Sequence, residues 1–297
     1  MSVFKGILVC SFGVAFAASA AAQSVGVGTG PQGSLTNRIG SAVAKVIADG
    51  AALKTRAVPH TSNAHHVPLV AKGTMTFGVN STGDINDATG GMNAFKGRKP
   101  ENWTLVTRLV PLPVGTLVRK NSPYKSLTDL KGKKYPVGFT AHKTVLNILQ
   151  AFLNNAGMTA EDFDGVPVPN THAAAQLFLK GSVDGTLSSL GGSRLRNVDA
   201  KVGGIRILSM DTSEKGVAGM QKAYPNSYLI KLEPGKGRVG LDDGPAWVMA
   251  FDMNLMTSTK TPDELVYKAA KALHEGKSGL VKISPVFNGF KPDKMPS

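Results

Sequence analysis

Gly28-Thr29-Gly30-Pro31-Gln32-Gly33 is the first stretch whose residue types and spacing could do chemistry. Its glycines fall at G-x-G-x-x-G spacing between a short apolar run and a helical one, an arrangement that can lay backbone against a dinucleotide pyrophosphate. Two features weigh against a dinucleotide. Pro31 removes an N–H that a phosphate would use. The next apolar run ends near His60 rather than in the acidic residue that would hold a ribose. What remains is more general: free N–H groups of a glycine-rich loop at a helix N-terminus attract an anion. The alternative is that the glycines only serve a tight turn.

The other chemistry-bearing residues are sparser. His60, His65 and His66 lie close in sequence, but no carboxylate accompanies them at ligand spacing. Adjacent histidines on a helix point in different directions, so a surface or cleft-edge place is expected rather than a metal site. Asp242-Asp243 and Glu161-Asp162 sit in loop-like sequence without the spacing of a general acid and base. No Walker A loop, G-x-S-x-G elbow or H-E-x-x-H helix is present. Trp103 and Trp247 stand in apolar, strand-like surroundings and are expected in the core. No catalytic residue, metal or cofactor is therefore expected, and the chain is not read as an enzyme.

The elements that must position the glycine loop and its companions alternate strand and helix, the pattern of an α/β fold. Strands are expected at Val25–Gly28, Thr55–Pro59, Thr74–Asn80, Leu105–Val110 and Val114–Arg119, the last two separated by Pro111-Leu112-Pro113. A helix over Asn37–Asp49 puts Ile39, Val43, Val46 and Ile47 on one face. A second unit follows. Strands are expected at Lys134–Phe139, Gly165–Val168, Val183–Ser188 and Ile205–Met210. Helices are expected at Thr144–Ala156, Thr171–Lys180 and Ser213–Ala223. Gly157 is placed to end the first of these in a left-handed turn. Residues 224–245 read as loose, Trp247–Phe251 as a strand, and Thr261-Pro262-Asp263-Glu264 opens a last helix.

The chain begins with Lys5, a mostly apolar run to Ala18 and the small residues Ser19 to Ala22, which reads as a cleavable secretory signal over residues 1–22. The run is too short to span a bilayer. The chain's single cysteine, Cys10, leaves with the signal, so thiol and Cys-zinc chemistry are excluded from the remainder. The formal charge is +14, of which Lys5 alone is lost with the signal. Export argues against nucleic acid as the partner of that charge, and an anionic small molecule is the alternative it leaves open.

From Val27 onward the sequence resembles the TAXI (TRAP-associated extracytoplasmic immunogenic) group of solute receptors, type II periplasmic binding proteins that serve TRAP transporters. The group opens with G-T-G-G-T-G-G-T-Y-Y-P-L-G, and Gly28 to Gly40 here runs GTGPQGSLTNRIG without a gap. Its G-S pair is approximated by Ser62-Asn63, and its Q-S-D turn by Ser81-Thr82-Gly83-Asp84. The best-kept motif, s-L-x-D-L-K-G-K-x-x-x-V-G, is present from Ser126 through Lys133 to Val137-Gly138. A G-x-v-D-A match follows at Gly181 to Gly185, and the group's G-x-P becomes Gly191-Gly192-Ser193. The chain departs from the pattern in two places: Thr36 and Asn37 replace two tyrosines, and Ala141-His142-Lys143-Thr144 replaces G-S-G-T.

The resemblance implies a two-lobed type II periplasmic binding protein, each lobe a mixed sheet flanked by helices, with a hinge and a central cleft. Residues 23–112 would form the first part of lobe 1, 113–230 lobe 2, and 231–297 a return segment completing lobe 1. Carried over position by position, the ligand would be held by Thr29, Gly30, Gln32, Gly33, Ser34, Thr36, Asn63, Ser81, Thr82, Thr140, His142, Lys143, Thr144 and Gly192. The implied function is periplasmic capture of a small organic anion, a carboxylate or acidic amino acid, for the membrane subunits of a TRAP transporter. The receptor is expected to be a monomer with no nucleic-acid partner. Two other classes stay open at this point: a periplasmic enzyme on the same scaffold, and a secreted basic protein that binds acidic polymer or lipid.

Overall fold

The computed structural model describes residues 24–140, 144–191 and 193–295. The expected signal peptide, residues 1–22, lies outside them. In chain order the elements begin with β1 (Val25–Thr29), α1 (Leu35–Ala51), β2 (Thr55–Pro59), α2 (Val67–Ala71), β3 (Phe77–Ser81), α3 (Thr82–Gly90) and β4 (Trp103–Arg119). There follow β5 (Lys134–Phe139), α4 (Thr144–Asn155), β6 (Asp164–Val168), α5 (Thr171–Lys180), β7 (Gly185–Ser189), α6 (Ser193–Val202), β8 (Ile205–Ile207) and α7 (Glu214–Ala223). The chain closes with β9 (Tyr228–Leu232), β10 (Ala246–Ser258), α8 (Asp263–Glu275) and α9 (Lys277–Ile283). The fold is α/β and two-lobed, as expected from the sequence.

Two long strands join the lobes. β4 and β10 run antiparallel from Ser258 opposite Trp103 to Met249 opposite Val114. At one end β3 adds to β10 over Met253–Thr257 and extends the sheet to β1 and β2. At the other, β7 and β8 add to β4 between Val114 and Arg119, and β9 adds to β10 over Ala246–Ala250. Between these regions Pro111-Leu112 and Phe251-Asp252 have only each other as strand partners. β5 and β6 form a separate parallel pair in the second lobe.

The sequence suggested two strands broken at Pro111-Leu112-Pro113; the structure has one. The reason is which edge the prolines present. The Pro113 carbonyl receives Leu190 N–H at 2.8 Å, so that edge faces away from β10. Pro111, two residues earlier, presents the same edge. The missing N–H groups thus fall where no strand is paired, a place proline tolerates.

α1 starts at Leu35, two residues earlier than expected, because Ser34 Oγ accepts Asn37 N–H at 3.1 Å and caps the helix. Leu35, Ile39, Val43, Val46 and Ile47 are buried along one face, each contributing about 1.5–3 kcal/mol relative to exposure. That face packs on β1 and beside α8 and α9. α4 buries Val145, Leu149, Phe152 and Leu153 and is followed by Gly157 at φ +65°. Four elements were absent from the sequence reading: α3, α6, β9 within the stretch read as loose, and α9, which follows the helix expected to be the last. Trp247, expected in the core, is 38% exposed on β10, while Trp103 packs partly buried beside Phe95, Ala88 and Val67. No described helix is long and apolar enough to cross a membrane.

Candidate ligand-binding cleft

The starts of α1, α3, α4, α5 and α6 all border one cavity of about 120 Å³. Ser34, Ser81, Thr144, Thr171 and Arg194 reach it from the starts of these helices, and Leu112, Val114 and Phe251 reach it from the crossing strands. Helix N-termini carry partial positive charge, so converging them favours an anion. Apolar side chains of Leu35, Val145, Ile148, Ala175 and Leu187 complete the wall. Such a lining suits a small molecule with an aliphatic body and a charged end.

The second-lobe wall holds the cation. Arg194, half-buried in the first turn of α6, lines the cavity with Ser188, Ser189 and Thr171. Burial holds its guanidinium below the usual arginine range. Among the described residues no carboxylate lies within ion-pair distance of it, and no hydrogen bond from it is formed. Charged donors taken out of water ordinarily find a partner.

The first-lobe wall is a network of hydroxyls, amides and one carboxylate. Ser34 and Thr36 hydroxyls bond each other at 2.8 Å. Asp84 Oδ2 accepts from Ser81 N–H at 3.0 Å, Ser81 Oγ at 2.7 Å and Asn63 Nδ2 at 3.1 Å, closing a capping box on α3. Behind Asn63, Asn80 Nδ2 donates to the Asn63 carbonyl at 3.2 Å, and Asn80 Oδ1 lies 3.1 Å from His66 Nε2. Burial drives the His66 pKa down to about 3, so the ring is neutral and its Nε2–H donates to Asn80. His66 is therefore a core residue, against the cleft-edge or surface place expected for the cluster. No group of three or more His, Cys, Asp or Glu gathers at metal-binding spacing among the described residues.

The residues singled out in the sequence divide in three. Ser34, Thr36, Asn63, Ser81 and Thr144 line the cavity. Thr29, Gly30, Gln32, Gly33, Thr82 and Thr140 are not in its lining. Thr29 is fully buried and accepts Asn37 Nδ2 at 2.9 Å. A Cβ on Gly30 would overlap Thr36 Oγ1 and lie 2.6 Å from Asn63 Oδ1, so this glycine lets those two side chains approach. Gln32 and Gly33 are exposed, and Gly33 takes φ +77° to turn the loop. Thr82 Oγ1 donates to the Asp252 carbonyl at 3.2 Å, and Thr140 is exposed at the end of β5. His142, Lys143 and Gly192 lie outside the described residues. Arg194, Thr171, Ser188, Ser189, Asp84 and Tyr224 also line the cavity and were not identified. The available signal was positional: each of the first four stands at or just after the end of a second-lobe strand.

A family model described as the NMT1-like family matches residues 27–296. Among solved structures, malate-bound MatC from Rhodopseudomonas palustris aligns with a TM-score of 0.62 at 16% identity, covering 92% of this chain and 92% of that one. A second R. palustris protein, solved with adipate, gives 0.58 at 16% identity, covering 91% and 88%. PhnD1 from Prochlorococcus marinus, in complex with methylphosphonate, gives 0.58 at 10% identity, covering 90% and 91%. At these identities the likeness is one of fold.

Proposed function

The chain belongs to the NMT1-like family, and we propose that it is an extracytoplasmic solute receptor that captures a small organic anion, a carboxylate or acidic amino acid, for a membrane transporter. Arg194 is the observation that carries this reading. A half-buried guanidinium with no carboxylate partner among the described residues, facing a cavity ringed by hydroxyls and helix N-termini, offers a ligand carboxylate the two-pronged partner it fits best. Malate, adipate and methylphosphonate, held by the three proteins of like fold, are anions as well.

Capture works by hinge closure. The stretch where β4 and β10 have only each other as strand partners, Pro111-Leu112 against Phe251-Asp252, is the hinge in this reading. Hydrogen bonds span the cleft from both lobes. Asn147 Nδ2 of α4 donates to Asp87 Oδ1 of α3 at 3.4 Å. An anion touching both walls binds the closed form better and shifts the equilibrium by that difference in affinity. The sequence resemblance at Gly28–Gly40 supports a TRAP-type transporter as the recipient, that at Ser126–Gly138 supports the type II fold, and the apolar leader supports export to the periplasm.

The test is mass spectrometry of small molecules released from the natively purified protein, followed by calorimetric titration with the acid found. An organic anion whose binding is lost in Arg194→Gln is expected. A protein that releases no anion and gives no heat with malate, succinate, glutamate or glutarate would not be such a receptor.

A further inference from the structure

We propose that Asn63 sets the selectivity of the cleft: the bound acid carries a hydrogen-bond donor, a hydroxyl or an ammonium, that the side-chain carbonyl of Asn63 receives. This rests on the receptor reading above and adds to it the chemistry of the ligand's other end.

Asn63 opens a short helical turn, Asn63–His65, and is held from two sides. Its Nδ2 donates to the Asp84 carboxylate, which fixes which end of the amide is oxygen. Its backbone carbonyl is held by Asn80, itself anchored on buried His66. Asp84 is locked in turn by both donors of Ser81. The one atom of the side chain left over is Oδ1, which is buried and, among the described residues, without a hydrogen-bond partner, although the residue lines the cavity. An orphaned acceptor is costly and calls for an explanation. Its orientation is imposed by the surrounding network, so a rotation of the amide cannot relieve it without setting oxygen against the Asp84 carboxylate.

The surroundings define what would relieve it. A side chain on Gly30 would collide with both Thr36 Oγ1 and Asn63 Oδ1, so only glycine lets these two oxygens converge at this point of the wall. The nearest carboxylate, Asp84, accepts hydrogen bonds and donates none. This wall therefore asks for a donor, while Arg194 on the other lobe asks for an anion. A molecule that bridges the lobes meets both demands only if it is an acid that also bears a hydroxyl or ammonium. A plain acid would leave Asn63 Oδ1 dry and unpaired in the closed state, the situation in which polar sites reject analogues most strongly.

Calorimetry on matched pairs tests this, malate against succinate for the hydroxyl and glutamate against glutarate for the ammonium. The donor-bearing member of one pair is expected to bind the wild-type protein about tenfold tighter or more, and Asn63→Leu to bring that pair within about twofold. The wild-type comparison needs no variant, so it stands even if Asn63→Leu folds poorly. Succinate and glutarate binding as tightly as their partners, with Arg194→Gln still weakening all four, would overturn the role of Asn63 and leave the receptor reading intact. A wild-type preference that persists unchanged in folded Asn63→Leu would overturn it too. No binding by any of the four acids would overturn both.

Discussion

The phenolic oxygen of Tyr224, at the end of α7, accepts the backbone N–H of Gly83, in the first turn of α3, at 2.8 Å across the two lobes. Tyr224 is 3% exposed, and its ring stacks on Phe251 at a centroid distance of 5.0 Å. Ser81 Oγ takes the next donor, Asp84 N–H, at 3.1 Å. The start of α3 is thus occupied by the protein's own oxygens, although helix N-termini are favoured places for anions. In the receptor reading proposed above, this leaves the Arg194 wall as the place for a ligand carboxylate.

Tyr224→Phe keeps the stacked ring and removes the acceptor, leaving the buried Gly83 N–H unpaired. Urea unfolding should show a loss of about 1–3 kcal/mol. Gly83→Ala should cost more, because its Cβ would overlap the Tyr224 hydroxyl. A Tyr224→Phe protein as stable as the wild type would show that this bond contributes nothing to holding the lobes.

Arg194→Gln separates binding from stability. Affinity for the anion should fall by about ten- to a hundredfold, the worth of a charged hydrogen bond. The unfolding midpoint should stay level or rise, since the half-buried guanidinium has no carboxylate among the described residues to offset its desolvation. A drop in midpoint alongside unchanged affinity would reverse the assignment and make Arg194 a structural residue.

The hinge carries a clamp whose chemistry can be read optically. Asp252 Oδ2 lies 2.8 Å from Arg108 Nε, and Asp252 Oδ1 receives the Tyr228 hydroxyl at 2.7 Å. Burial, then the Asp252 carboxylate, push the Tyr228 pKa up to about 12. In Asp252→Asn the carboxylate contribution disappears while burial remains. Ultraviolet titration should show one tyrosine ionising at lower pH than in the wild type, because burial is then opposed by an Arg108 no longer paired with a carboxylate. No change in the titration curve would place Tyr228 outside the influence of Asp252.

How far the sequence could be read follows from where the information lay. α1, α4 and α5 advertise themselves through apolar residues at helical spacing and through glycines or caps at their ends, and β2 and β5 through strand composition between breakers. α6 was hidden because Arg194, Arg196, Asn197, Asp199 and Lys201 leave it only Leu195 and Val198 to bury. With α6 unseen, Arg194 had no element to place it at the cleft. α3 was hidden for a related reason: Thr82 to Gly90 is poor in helix formers and is held by the Ser81–Asp84 capping box and by Tyr224, a residue 141 positions away. The glycine loop was legible as a loop. That Gly30 serves the approach of Thr36 and Asn63 depends on packing between α1 and the turn at Asn63, which no local spacing encodes.

His66 gives the remaining prediction, a pH dependence with a definite sign. Burial is the main cause of its pKa falling from 6.5 to about 3, with His60 and His65 adding like-charge repulsion, while the hydrogen bond to Asn80 opposes the shift. The His60 ring lies 5.4 Å away, and its own pKa is lowered by burial and by His65. In the unfolded chain His66 takes up a proton as pH falls below about 6.5; in the folded protein it stays neutral until about 3. The unfolded state therefore binds more protons across that window. The contribution to stability is complete above pH 6.5 and drains as pH falls toward 3, by up to about 1.4 kcal/mol per pH unit. His66→Leu removes this titration and leaves His60 and the carboxylates in place. Urea unfolding from pH 7 to pH 4 should show the wild type losing stability more steeply than His66→Leu, so that the curves converge in acid even though the variant, lacking the donor to Asn80, starts lower at pH 7. Parallel curves across the whole range would mean that His66 takes up its proton as readily folded as unfolded, and would remove the neutral ring from the network that holds Asn63.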